Sequence, residues 1–241
     1  MSKDDPSVNW KLYRTFEENM FLETGAHLIN IGSCGLHIIH RAYRKGIEST
    51  GWGLPDILSS FYRNFKDSPA RREDFQKVLD GVEMPLMPLK FCKTRWVENV
   101  SVLERTLHVL PNLKTYVKAV DEKNTSKPDT RMYETIKNAC KDQLLEAKLQ
   151  FALSVVNEVT PFLRLYQTDK PMVPFLATDL YNMLKDILSR FCKSDVIENA
   201  TTALKLANFD IKNEKLHESD YKKIDVGFSA EKLLRNLTAA V

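Results

Sequence analysis

Two stretches of the sequence carry residue types that could do chemistry at helical spacing. The first is Cys34-Gly-Leu-His37, with His40 one helical turn further on. Residues three or four apart share a helix face, and cysteine with histidine is a common ligand set for zinc. No second Cys or His pair follows at ligand spacing, and Cys92 could complete a site only if the fold brought it near. We therefore predict no metal site, and favour a buried cysteine and a hydrogen-bonded histidine at a helix start.

The second stretch is Lys93-Thr-Arg-Trp96. Thr94 is a plausible helix N-cap, which places Arg95 and Trp96 in the first helical turn. Such a pair can bind nucleic acid, with the guanidinium on a phosphate and the indole stacked on an unpaired base. Large aromatic side chains more often pack in the core. From the residues alone, the core interpretation of Trp96 is favoured.

A third candidate is the acidic pair at the start of the chain. Asp4 and Asp5 could hold a divalent cation, but a helix cap explains Asp5, because Pro6 suits the first helical position. No glycine-rich phosphate-binding loop is present, and no Ser-His-Asp or Cys-His signature stands in a recognisable context. The residues by themselves indicate no particular reaction.

Helical periodicity dominates the segments that must position these residues. A first helix should end at Gly25, Ser68 should cap a helix that begins at Pro69, and Pro111 should allow a fresh start. One segment differs from this pattern. Residues 26–31 form a short apolar run bounded by glycines, which predicts a single strand.

The second half of the chain is also predicted to be helical. Residues 121–128 are polar and end in a proline, so they are the best internal hinge. A long helix is expected from about residue 129 to residue 160, and another over residues 176–192. Prolines, Pro161 among them, should separate the helices that follow the long one.

Composition describes an ordinary folded chain with an uneven charge. The chain has 241 residues, of which 43% are hydrophobic and 28% charged, enough for one large domain or two small ones. The formal net charge is +3, divided as −2 over residues 1–25, +5 over residues 26–118 and zero over residues 119–241. An anionic partner should therefore bind the region 26–118, which holds the Cys-His and Arg-Trp stretches.

Cysteine usage and hydropathy bear on the compartment. The four cysteines lie far apart and no secretory hydrophobic segment is present, so we expect a protein of the nucleus or cytoplasm that is not secreted. The longest apolar runs are interrupted by charges every few residues. We therefore expect no membrane span.

Four segments, taken in order, resemble one protein family. Their order and spacing are similar to those of the hAT superfamily of DNA transposases and the host proteins derived from them, over residues 2–118 and more loosely to residue 241. The segments are Asp4-Asp-Pro-Ser-Val-Asn-Trp-Lys11, Ile29-Asn-Ile-Gly-Ser-Cys-Gly-Leu-His37, Phe65-Lys-Asp-Ser-Pro-Ala-Arg-Arg72 and Lys90-Phe-Cys-Lys-Thr-Arg-Trp96.

The resemblance implies an RNase H-like catalytic core that is interrupted by a large helical insertion domain. Residues 1–45 would be a remnant of that core, with its strand, and residues 46–241 the insertion domain. Cys34 and His37 would belong to the segment that leads into the insertion. In such enzymes three carboxylates hold two divalent metal ions that cut and join DNA. Asp4 falls at the second of these positions, although Asp5 replaces the family's glycine.

The resemblance also implies that this chain is inactive. The first and third carboxylates would lie upstream of Met1 and beyond Val241. One carboxylate cannot build a two-metal site, so we expect Asp4 to be vestigial, with no resident cofactor and no catalysis by this chain alone.

We therefore expect a mainly α-helical, catalytically inactive transposase-derived protein with weak DNA binding. The alternative is a helical module that binds another protein and not DNA. Salt separates the two hypotheses, because DNA binding weakens steeply as salt is added and an apolar interface does not. By resemblance Trp96 would stabilise a DNA hairpin end. The expected DNA-binding residues are Arg95, Trp96, Arg41, Arg44, Lys45, Arg71 and Arg72.

Overall fold

The computed structural model describes residues 7–28, 35–79 and 86–239. Within these ranges the chain is mainly α-helical and forms no β-strand, which confirms the predicted class at that level. Short 3₁₀ helices cover Trp96–Asn99, Val173–Phe175 and Glu214–Leu216. The α-helices are α1 (Ser7–Thr24), α2 (Gly35–Ser49), α3 (Leu54–Lys66), α4 (Pro69–Val78), α5 (Val100–Asp121), α6 (Arg131–Lys141), α7 (Leu145–Tyr166), α8 (Leu176–Ser189), α9 (Ser194–Asn199), α10 (Ala203–Ala207) and α11 (Phe228–Ala239).

The strand predicted at residues 26–31 is not found where the structure describes the chain. Residues 26–28 form no strand, and residues 29–31 lie outside the described residues. The backbone after α1 is held instead by a side chain of that helix. Glu17 Oε2 accepts the Leu28 N–H at 2.8 Å, and Glu17 Oε1 lies 2.7 Å from His27 Nδ1. As predicted, α1 ends at Gly25, which adopts a φ of +70°.

Local capping signals set the starts of α3 and α4. Gly53 precedes α3 with a φ of +65°, and Pro55 occupies its first turn. Ser68 caps α4 as predicted, because its hydroxyl accepts the Arg71 N–H at 3.4 Å and Pro69 is the first helical residue. These boundaries follow from the residues themselves.

The prediction that helices break at Pro111 and at Pro161 was wrong. Helix α5 continues through Pro111, and α7 continues through Pro161. Each proline ring faces solvent and removes one backbone hydrogen bond. Buried neighbours such as Leu110 and Leu113 in α5 and Phe162 in α7 offset that loss, since both halves of each helix pack into the same core.

The single helix expected over residues 129–160 is two helices. Asp142 separates α6 from α7: its Oδ1 accepts the Leu144 N–H at 2.9 Å, and its Oδ2 pairs with Lys148 Nζ at 2.6 Å. A carboxylate that bonds the backbone two residues on favours a turn over a continuing helix. The loop at residues 121–128 is bordered by an ion pair between Asp121 and Lys137. The role of this loop as a hinge stays a prediction.

The core lies between α3, α4, α5, α6 and α7. Four fully or almost fully buried rings form its aromatic centre, with centroids 5.0 to 6.4 Å apart. Edge-on and tilted ring pairs at these distances add to the free energy of burial. The rings are those of Phe65, Phe75, Tyr116 and Tyr133.

A buried guanidinium fixes the segment that precedes α11. Arg190 Nη2 donates to Ser154 Oγ on α7 at 2.7 Å, and Arg190 Nε donates to the Asp225 carbonyl at 3.1 Å. The Asp225 N–H returns a hydrogen bond to the Arg190 carbonyl at 3.0 Å. Two residues later Gly227 passes so close to Ser154 that a Cβ would lie 2.4 Å from its hydroxyl.

We predict that Gly227→Ala lowers the free energy of unfolding by about 2–5 kcal/mol, because a φ of +88° and the Ser154 contact act together. Gly51→Ala is the matched control. Gly51 also has a positive φ, but a Cβ there meets nothing within 4 Å, so the loss should be about 1 kcal/mol. Urea unfolding of both variants tests this, and equal losses would contradict the close approach.

Candidate nucleic-acid interface

The candidate site is built on the segment from residue 86 to residue 99, most of which has no regular structure. Asn99, only 2% exposed, holds its backbone. The Asn99 Oδ1 accepts the Cys92 N–H at 2.7 Å, and Nδ2 donates to the carbonyls of Cys92 at 2.9 Å and Trp96 at 3.0 Å. One buried amide therefore satisfies the backbone where a helix or strand is absent.

Trp96 fastens the same segment from its other side. The indole is 5% exposed and packs edge-on against Phe91, with centroids 5.2 Å apart, and against Tyr43 at 6.4 Å. Its Nε1–H donates to the Lys93 carbonyl at 2.8 Å. This is the core interpretation of Trp96, and in this arrangement the indole presents no free face on which a base could stack.

The helix start predicted at Thr94 needs a correction. A 3₁₀ helix begins at Trp96, and no side chain caps it. The Thr94 hydroxyl instead lies 3.6 Å from Cys92 Sγ. That contact, together with the Arg95 backbone N–H, lowers the pKa of the Cys92 thiol, since both favour the thiolate.

His40 of the Cys-His motif connects α2 to this segment. The ring is buried, and its Nδ1 accepts the Val97 N–H at 3.2 Å, so the histidine must be neutral at that nitrogen. Burial is the main cause that lowers the His40 pKa. His37 is exposed on α2, and Cys34 lies outside the described residues. His40 thus has the buried, hydrogen-bonded role that the sequence suggested for a histidine of the motif.

A groove of about 540 Å³ opens between this segment and α3. We call it the basic groove, after four exposed cationic side chains in its lining, and within the described part of the chain none of these four forms an ion pair. Asp67 is the one carboxylate among the lining residues. Tyr62 is half-buried in the wall. The four cations are Arg63, Lys66, Lys90 and Lys93.

The arrangement suits an extended anion. Uncompensated cations on both walls of a groove raise the local potential and attract phosphate groups. The groove lies in the region of the sequence with a net charge of +5, where an anionic partner was expected. The two pairs Arg63-x-x-Lys66 and Lys90-x-x-Lys93 were a signal in the sequence, although nothing in it places one pair beside the other.

The residues predicted to bind DNA lie elsewhere, since none of them lines the basic groove. Arg95 pairs with Glu98 at 3.1 Å, and Arg44 pairs with Glu48 at 3.3 Å. Arg71 donates to the Asn64 carbonyl at 3.2 Å. The structure therefore does not bring the predicted set together around one surface.

The other predicted residues are more scattered. Arg41 and Lys45 are exposed on α2, and Arg72 is exposed on α4. Asp4, the proposed vestigial carboxylate, lies outside the described residues. Across residues 7–28, 35–79 and 86–239, no three His, Cys, Asp or Glu side chains group as metal ligands would.

Comparisons with known proteins leave the chain without a demonstrated family. No family model, no curated protein and no solved structure matches it. For the described residues, no helix combines the length and the apolarity that crossing a bilayer requires.

We predict that Asn99→Leu lowers the free energy of unfolding by about 2–4 kcal/mol, because the N–H and carbonyl of Cys92 lose their partner. Asn138→Leu, at an exposed position of α6, is the control and should change stability little. Chemical denaturation measures both. Similar values for the two variants would show that the amide does not hold the segment.

We predict that His40 makes the fold less stable in mild acid. Its pKa in the folded protein lies below the ordinary 6.5, so the unfolded chain binds the proton first. Stability from this group is complete above pH 6.5 and is lost as the pH falls through the folded pKa. Unfolding curves at several pH values should show a smaller decline for His40→Asn, whose amide oxygen can accept the Val97 N–H. Identical declines would contradict this.

Proposed function

We propose that this chain is a helical DNA-binding module without catalytic activity of its own. In this proposal it corresponds to the insertion domain of a hAT-like transposase with a small part of the catalytic core. The observation that carries DNA binding is the basic groove, whose four cations form no ion pair with any other described residue. The order of the four segments that resemble the hAT superfamily supports an origin from such a transposase. A mainly helical architecture suits an insertion domain.

Binding in this proposal is directed at the DNA backbone. Lys66 and Arg63 on α3 and Lys90 and Lys93 on the facing segment contact phosphates, which releases counterions and makes the affinity depend on salt. Contacts of this type position a protein on DNA and carry no sequence information. The module therefore binds DNA with little sequence preference.

Trp96 takes part indirectly. Its indole donates to the Lys93 carbonyl and packs on Phe91, so it sets the position of the segment that carries Lys90 and Lys93. In this proposal Trp96 contributes to DNA binding as a positioning residue and does not itself contact the DNA. Arg72 and Lys45, which are exposed, can add weak phosphate contacts outside the groove.

We predict that Lys66→Ala combined with Lys93→Ala weakens binding to labelled hairpin and duplex DNA by about tenfold or more at low salt. The slope of log affinity against log salt should fall by about 2, because each of the two lysines neutralises one phosphate in the wild type. Fluorescence anisotropy titrations at several salt concentrations measure both quantities.

The matched control is Lys170→Ala combined with Lys212→Ala. Both lysines are exposed and outside the groove, and within the described ranges neither side chain forms an ion pair. This control removes the same charge, so its effect should be small. Equal weakening by the two double variants would mean diffuse attraction and no defined groove, and an absence of binding by the folded wild type at low salt would overturn the proposal.

A protein-interaction module is the second candidate function. The observation in its favour is that α1 exposes four large apolar side chains, which a helix in water would not leave uncovered without cost. Binding of a protein partner through such a surface should persist in salt. The side chains are Leu12, Phe16, Phe21 and Leu22.

A further inference from the structure

A second groove, of about 740 Å³, lies in the C-terminal part of the molecule. We call it the C-terminal groove. One wall is the segment 221–226, and the other is the outer face of α11. Most of its surface is apolar, and Leu234 and Tyr221 are exposed in it although both are large. The lining consists of Tyr221, Lys222, Ile224, Val226, Glu231, Leu234, Arg235 and Thr238.

Both walls of the C-terminal groove are fixed by contacts on their inner sides. Helix α11 packs on α7, with Ala230 buried between them, and the segment 221–226 is tied down by Asp225 and Arg190. The backbone N–H groups of Ile224 and Val226 have no hydrogen-bond partner within the described residues. The groove is thus a preformed, mostly apolar surface, with two backbone N–H groups that no other group of the described chain uses.

The rim of the C-terminal groove is cationic. Arg235 pairs with Glu231 across one helical turn, and within the described residues Lys222 in the lining forms no ion pair. Lys223 and Lys232 are exposed next to lining residues, and in the described part of the chain neither forms an ion pair. The carboxylates next to the lining are Asp220 and Asp225, and Asp225 pairs with Arg190, so the cations remain in excess. An occupant with apolar side chains and carboxylates would be complementary to this surface.

Helix α1 has these complementary properties. It packs closely against no other helix of the described chain, and Phe16 is 52% exposed. From Phe16 to Glu23 it carries three carboxylates and no cation. Within the described residues, Glu18 and Glu23 have no ion-pair partner. An 18-residue helix is marginal in water unless an amphipathic face is packed.

We propose that α1 of one molecule docks in the C-terminal groove of a second copy of this chain. Phe16 and Met20, one turn apart, enter the groove against Leu234, and Glu23, on the same face of α1, meets the lysines on its rim. A face-to-face pairing of two C-terminal grooves would oppose like charges, which disfavours that arrangement. Nucleic acid is disfavoured too, because a phosphate backbone offers nothing to the apolar lining. This inference is independent of the proposed DNA binding.

The test is the concentration dependence of the molecular mass, measured by sedimentation velocity on the full chain. The wild type should associate, and both Phe16→Asp and Leu234→Asp should raise the dissociation constant by about tenfold or more. Leu204→Asp, at a residue of α10 that is 72% exposed, is the control and should associate as the wild type does. Circular dichroism verifies that each variant is folded.

Mixing the two defective proteins separates this pairing from other modes of association. One keeps an intact groove and the other an intact α1, so an equimolar mixture should form a one-to-one complex that neither forms alone. In addition, Glu23→Lys should weaken association and Lys222→Glu should restore it in the same chain. Recovery in either experiment requires contact between α1 and the groove.

Several outcomes would overturn the proposal. If the wild type stays monomeric, α1 does not bind a second copy of the chain. Loss of association in only one of the two Asp variants means that α1 or the groove pairs with something else. Failure of the mixture to form a complex excludes the reciprocal fit. The Lys66→Ala and Lys93→Ala double variant should associate normally, so a failure here is distinguishable from a failure of DNA binding.

Discussion

The structure around the basic groove depends on one constraint, which is that buried backbone groups must find hydrogen-bond partners. The segment 86–99 passes along the core without regular structure, so side chains have to supply those partners. Asn99 bonds the backbone of Cys92, His40 bonds Val97, and the indole of Trp96 bonds Lys93. Three neutral groups, each almost fully buried, thereby determine where the exposed lysines of that segment lie.

The opposite wall of the groove follows from helical periodicity. Phe61 and Phe65 of α3 are buried four residues apart, and this orients the helix. Arg63 and Lys66 then lie on the exposed side, next to the segment that Asn99 holds. The positive surface is therefore a consequence of core packing in α3 combined with the fixed loop. Neither element would create it alone.

Features determined by neighbouring residues could be predicted from the sequence, and features determined by distant ones could not. The Ser68 cap and the Gly25 end depend on the conformational preferences of one or two residues, and both were predicted. Breaks at Pro111 and Pro161 were predicted wrongly, because the packing that carries a helix through a proline comes from other parts of the chain. The Asp142 turn is an exception, because it depends on a bond to a residue only two positions away and was still missed within a pattern that otherwise suited one helix.

The candidate site shows the same division. The excess of positive charge over residues 26–118 was visible, yet the pairing of α3 with the segment 90–94 arises only in the folded chain. Trp96 illustrates the point for a single side chain. From its residue type the core interpretation was favoured over stacking on a base, and its contacts with Phe91 and Tyr43 agree with that, but the sequence did not identify these partners. The segment that contains Arg95 and Trp96 is one of the four on which the family resemblance was based. The function that the resemblance implies stays a proposal.

The attachment through Arg190 has a thermodynamic consequence for the C-terminal groove. The Arg190 guanidinium joins α7 to the segment before α11, and α11 itself packs on α7 with Ala230 buried between them. Any local opening of this part of the chain must therefore break both attachments together. The groove exists only in the attached state. The apparent affinity of any molecule that binds there is therefore its intrinsic affinity multiplied by the attached fraction, and occupancy of the groove in turn increases that fraction.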